Sequence, residues 1–245
     1  LFGFGCAGFG LYEVLKKTPA LQANIKRICV RQKDKKRPIG SEHFSFDKAD
    51  ILGDPEINVV VELIDDADAA VVIVCEALRA GKCVVSANKK MIALHLQELL
   101  DLQRRHGGSL LYEAACCASI PVIRNMEEYY DNDLLESVEG IVNGSTNYIL
   151  SKISSTNSSY AEALAEAQHL GYAESDPSLD VEGHDAVYKL NLLLVHAFGI
   201  FVNPADIFRL GINRIGPAEQ AYAREKGYKI KLVARAIKEG DTVQA

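Results

Sequence analysis

Gly3-x-Gly5-x-x-Gly8, set where the apolar start Leu1-Phe2 passes into helical residues that continue to Lys17, constrains this chain more than any other feature. Glycines at this spacing allow a sharp turn from strand into helix, let a ligand's phosphates approach the backbone, and let helix pack closely on strand. The turn alone is weak evidence, because glycine-rich strand–helix turns also arise for purely geometric reasons. The succession of elements after it strengthens the reading. Residues 25–30 form a second apolar run that ends in a basic loop at 31–38. Residues 58–64 then read as a strand, 67–80 as a helix, 82–85 as a strand, 88–106 as a helix stopped by Gly107-Gly108, and 109–112 as a strand. Such alternation predicts an α/β unit with a parallel sheet, a Rossmann-type NAD(P)-binding domain over residues 1–113.

Beyond Glu113 the texture changes. Helical periodicity over 120–130, 148–154, 160–170 and 181–198, with strand-like runs at 135–142 and 228–237, predicts an α+β second domain over 114–245. The 245 residues are 48% hydrophobic and 24% charged, which suits globular domains, and a formal net charge of -6 argues against a nucleic-acid partner. No apolar run approaches the roughly 18 residues of a membrane span, and no basic region precedes an apolar one at the start, so a cytoplasmic protein without a membrane partner is expected. The six cysteines contain no C-x-x-C pair, which favours reduced thiols over a disulfide framework or a zinc site.

Several stretches carry chemistry. The amides of Gly3, Gly5, Cys6, Ala7 and Gly8 would cradle a pyrophosphate at the positive end of a helix. At the end of the second strand, where an NAD enzyme usually offers an acidic residue to the ribose, this chain presents Arg31 followed by Lys33, Lys35, Lys36 and Arg37. A 2′-phosphate suits that charge, so NADP is preferred with NAD as the alternative; a solvated basic loop is the bland explanation. Ser86-Ala87-Asn88-Lys89 closes a strand and opens a helix at the sheet edge where such folds bind ligands, and it offers Ser86 and Lys89 to the cofactor, with an exposed helix-start lysine as the plain alternative for Lys89. Residues 141–150 (IVNGSTNYIL) hold helix-capping types around Gly144, either a plain cap or a helix start aimed at a ligand carboxylate.

Most demanding is LGYAESDPSLDVEGHDAVYKL, which crowds Glu174, Asp176, Asp180, Glu182 and Asp185 ahead of Lys189. Carboxylates this close call for a cation among them, an ammonium group or a metal ion. Asp185 and Lys189 share a helix face, and the apolar LNLLLVHAF after them buries that helix. An ordinary surface ion pair is the competing explanation.

These stretches together resemble homoserine dehydrogenase: VVVELI at 59–64, ALRAGKCVVSANK at 77–89, YEA at 112–114, IPVIR at 120–124, GIVNGSTNYIL at 140–150 and EAQHLGYAESDPSLDVEGHDAVYKL at 166–190. The resemblance implies a nicotinamide-dependent enzyme interconverting L-aspartate 4-semialdehyde and L-homoserine, on the route to threonine, methionine and isoleucine. It makes Lys189 the catalytic acid/base, Glu174 and Asp185 holders of the amino-acid substrate's amino group, Asp180 a support of that pocket, and Lys89 a contact to substrate and nicotinamide. It also implies a homodimer through the second domain, and a monovalent-cation (sodium) loop using Glu113 with the carbonyls of Cys116, Ala118 and Ile120. In that loop YEAACCASIP departs from the family's usual small residues, and Ser86 and Ser145 stand where threonine is common. The family's catalytic region normally runs well past position 245, so a fragment is expected. A related amino-acid or semialdehyde dehydrogenase, or a non-catalytic nucleotide-binding fragment, is the alternative.

Overall fold

The computed structural model describes every residue except Asp131 and Asp133. It divides into two compact units, Leu1–Ile120 and Pro121–Ala245. In the first, the elements are α1 (Cys6–Lys17), β1 (Ile28–Cys29), β2 (Phe44–Ser45), α2 (Ala49–Leu52), β3 (Val59–Glu62), α3 (Ala67–Arg79), β4 (Cys83–Ser86), α4 (Lys89–His106), β5 (Ser109–Leu111) and α5 (Glu113–Cys117). All pairings here are parallel, β1 with β2 and β3 with β4 with β5. Phe2 joins the two parts through parallel bridges to Cys29 and Glu62, with Phe2 N–H donating to Val61 O at 2.8 Å and Gly3 N–H to Cys29 O at 3.0 Å. The spatial order is therefore β2-β1-Phe2-β3-β4-β5, which is the doubly wound order, with the reversal at Phe2.

Burial follows the sequence periods. Val60 and Val84 of the central strands are fully buried, and α3 buries Ala70, Val74, Ala77 and Leu78 at helical spacing against α4, which offers Ile92, Leu96 and Leu99. Asp66 and Asn88 cap these helices by accepting the Ala69 and Met91 amides. Residues 114–120, expected from the sequence in the second domain, fold with the first unit, and the expected cation loop begins as the short helix α5, packed on α4.

The second unit holds α6 (Val122–Tyr129), β6 (Ser137–Gly140), α7 (Gly144–Thr156), α8 (Tyr160–His169), α9 (Ser178–Val181), α10 (His184–Phe198), α11 (Pro217–Glu225), β7 (Ala234–Glu239) and β8 (Thr242–Gln244). Its three-stranded sheet is antiparallel in the order β6-β7-β8. One core lies among α7, α8 and α9 around Ile149, Leu150 and Ile153, and another sets Val187, Leu190 and Leu194 of α10 against Ala234 and Ala236 of β7. The helix expected over 181–198 is split, because Gly183 takes φ +85 between α9 and α10. The strand expected over 228–237 starts only at Ala234, where Gly140 becomes its partner; Lys231 before it turns to Asn147 and Ser151 instead. Helix α11, with Pro217 at its first position, lies in a stretch where the sequence suggested no element. Among the described residues no helix is long and apolar enough to cross a membrane.

Candidate active site

The glycine turn sits at the reversal point of the first sheet. Gly3 takes φ +88, and a Cβ there would stand 2.5 Å from Leu63 O; a Cβ on Gly8 would stand 2.6 Å from Gly3 O. Both positions therefore exclude a side chain for the sake of the turn itself. Gly5 differs: nothing lies within 4 Å of a Cβ built on it, so its neighbourhood is open for a ligand. Gly5 is also the N-cap of α1, whose first turn holds no acidic residue, so the opening amides meet no competing carboxylate of their own helix. A cleft of about 1150 Å³ opens here, and Gly3, Gly5, Cys6, Ala7, Gly8 and Arg31 all line it. Arg31 reaches to Asp66 at 3.1 Å, while Lys35 and Arg37 stand on the cleft wall. Glycines that leave room only where phosphates would pass, helix amides and a basic rim together fit a dinucleotide.

Two expected cofactor residues lie beside this cleft rather than on its lining. Ser86 is fully buried and its hydroxyl donates to Glu62 Oε2 at 2.5 Å, so the side chain serves the protein's own interior. Lys89 opens α4 with a half-buried side chain. In the candidate cation segment, Glu113 opens α5, Cys116 is buried within it, Ala118 takes φ +54, and the Ile120 amide donates to Cys117 O at 3.0 Å.

In the second unit two carboxylates of the acidic run, Asp180 and Asp185, join a network around Lys189, while Asp176 accepts from Ser178 and Glu182 stands beside His184. Lys189 Nζ stands 2.8 Å from Asp185 Oδ2 and donates to Val142 O at 2.6 Å. Asn143 Nδ2 donates to the same Asp185 oxygen at 3.0 Å and to Asp180 Oδ1 at 2.7 Å. Ser145 Oγ donates to Asp180 Oδ2 at 2.8 Å, with Tyr172 O at 2.6 Å as a second partner. Asn143 also caps α7, accepting the Thr146 amide at 2.9 Å, which fixes the orientation of its side-chain amide. Buried polar groups are thus mutually satisfied, and the lysine sits between a carboxylate and a carbonyl. Glu174 stands apart, exposed on the turn between α8 and α9, with its backbone carbonyl held by Gln168 Nε2 at 2.9 Å. From the sequence Asn143 and Ser145 read as capping types or as a helix start aimed at a ligand carboxylate; their bonds to Asp185 and Asp180 span 42 and 35 residues of sequence.

Residues 121–245 match the family model described as homoserine dehydrogenase, and residues 3–113 match its NAD-binding domain. The chain belongs to the homoserine dehydrogenase family. The Bacillus subtilis homoserine dehydrogenase is 33% identical over 253 residues, covering 100% of this chain and 58% of the relative. That of Lactococcus lactis is 37% identical over 243 residues, 95% of this chain and 57% of the relative. Among solved structures, the homoserine dehydrogenase from Thiobacillus denitrificans superposes with a TM-score of 0.94 at 34% identity, covering 99% of this chain and 58% of the other. A hyperthermophilic archaeal homoserine dehydrogenase in complex with NADPH gives 0.82 at 26% identity, covering 98% and 82%. The chain thus spans somewhat more than half the length of the curated homoserine dehydrogenases it matches.

Proposed function

We propose that this chain carries the nucleotide and amino-acid sites of a homoserine dehydrogenase that reduces L-aspartate 4-semialdehyde to L-homoserine, reversibly, with NADPH preferred over NADH. The observation that carries the reading is Lys189, held between Asp185 and Val142 O within the Asn143, Asp180 and Ser145 network. Reduction of an aldehyde needs a proton on the oxygen while hydride reaches the carbon. A positioned ammonium stabilises the developing negative oxygen and then donates to it. Lys189 is that ammonium, and Asp185 keeps it aimed.

The cofactor, when bound, supplies the hydride; Gly3 to Gly8 hold its pyrophosphate, and Arg31 with Lys35 and Arg37 meets the 2′-phosphate. The substrate's ammonium group, which a simple aldehyde lacks, is the cation that the family resemblance assigns to Glu174 and Asp185, and Asp180 holds Ser145 and Asn143 in place. Lys89 contacts nicotinamide and substrate, and Glu113 with the Cys116, Ala118 and Ile120 carbonyls takes a sodium ion. The family resemblance alone supports those two roles, the homodimer, the cytoplasmic location and the place in threonine, methionine and isoleucine synthesis. The test is consumption of NADPH on addition of aspartate semialdehyde, with homoserine as product and simple aldehydes lacking the amino-acid end as controls. Equal rates with the simple aldehydes would overturn the substrate assignment, and nucleotide binding without any oxidation would favour a binding module.

A further inference from the structure

Glu62 ends β3 fully buried, and among the described residues its carboxylate meets neutral donors: Ile64 N–H at 2.7 Å on Oε1 and Ser86 O–H at 2.5 Å on Oε2. A buried carboxylate held only by neutral groups is costly, and burial pushes the Glu62 carboxyl above its ordinary range even though both hydrogen bonds pull the other way. An apolar residue would serve a strand interior at lower cost, so the carboxylate calls for a further explanation.

Its two partners lie on two different loops. Ile64 leaves β3, and Leu63 to Asp66 line the nucleotide cleft, with Leu63 O forming the surface against which Gly3 turns. Ser86 leaves β4 and passes the network on, accepting Asn88 N–H at 3.1 Å; Asn88 Nδ2 returns to Ile64 O at 3.0 Å while its Oδ1 caps α4. One carboxylate therefore staples the exits of β3 and β4 and sets where α4, beginning at Lys89, starts. A dinucleotide in this fold straddles the reversal at Phe2, one half on each side. Arg31, Lys35 and Arg37 mark the β1 side for the phosphorylated adenosine half, which leaves the β3 and β4 side for the nicotinamide half.

We propose that Glu62 is a positioning residue for the nicotinamide end of the cofactor, acting through Ser86 and Ile64 to hold the two strand exits as one rigid edge. The proposal rests on the assignment of the cleft to a nicotinamide dinucleotide. An amide at this position cannot replace the carboxylate, because both carboxylate oxygens accept: with the amide oxygen toward Ser86 the NH₂ faces the Ile64 N–H, and with the oxygen toward Ile64 the Ser86 proton loses its acceptor.

The experiment titrates the chain as it stands with NADPH and, separately, with adenosine 2′,5′-bisphosphate, which lacks the nicotinamide half. Glu62→Gln and Ser86→Ala are expected to weaken NADPH by about tenfold, the cost of one hydrogen bond to a charged group. Affinity for the bisphosphate should be unchanged in both. Equal loss of both ligands would show general damage to the unit and overturn the proposal, as would NADPH binding unaltered in both variants. Wild-type chain that binds neither ligand would overturn the nucleotide assignment itself and the inference with it.

Discussion

Asp185 and Lys189 stand one turn apart on α10, and their charged atoms meet at 2.8 Å with only 4% and 16% of the respective side chains exposed. A surface pair of this spacing contributes little, whereas a pair withdrawn from water is screened less and leaves a costly buried charge if either partner is removed. On the proposed reading, that withdrawal is what fits Lys189 to donate a proton. In Lys189→Ala, semialdehyde reduction should fall by about 10²–10⁴-fold, the usual value of a general acid. NADPH affinity in the same variant should be unaltered when read by fluorescence titration; turnover close to wild type would remove Lys189 from the mechanism.

Gly5 and Gly8 should respond differently to the same added methyl. Gly5→Ala introduces a Cβ into open space, so the melting temperature should hold while NADPH binding weakens. Gly8→Ala drives a Cβ to 2.6 Å from Gly3 O, and overpacking of that kind costs about 1–3 kcal/mol. Thermal melts and nucleotide titrations of the pair separate the two outcomes; equal destabilisation by both would contradict the division of labour in the turn.

Arg31→Ala should raise the Michaelis constant for NADPH more than that for NADH, because a guanidinium recognises the 2′-phosphate that only one of them carries. Its present partner Asp66 is exposed and already bonded to the Ala69 amide, so releasing Arg31 to a phosphate leaves no buried charge behind. An unchanged ratio of the two constants would count against Arg31 as the discriminating residue.

Tyr148 donates its hydroxyl to Glu166 at 2.6 Å, and that carboxylate pushes the phenol up from 10.0 to about 12. The folded value lies above the ordinary one, so the contribution of this bond to stability is complete below about pH 10 and is lost as pH rises through about 12. Ultraviolet titration of the tyrosines should show a late component that Tyr148→Phe removes. A titration curve unchanged by the substitution would refute the assignment.

Elements whose residues carry their own periodicity or punctuation were legible directly in the chain. The glycine turn and the acidic run ahead of Lys189 are local patterns of residue type, and the β-branched runs of β3 and β4 and the long amphipathic α3 and α4 persist in the fold because each buries residues that its own spacing defines. Three kinds of feature came instead from long-range packing and backbone geometry. β7 begins at Ala234 because Gly140 pairs there, and a strand edge depends on a partner remote in sequence. The break at Gly183 depends on a left-handed backbone that the surrounding helical pattern concealed. Asn143, Ser145 and Glu62 read alone as two caps and the end of a strand. They became parts of sites only when packing brought Asp180, Asp185 and Ser86 to within 3.0 Å of them, since hydrogen bonds act over distances that sequence separation does not measure.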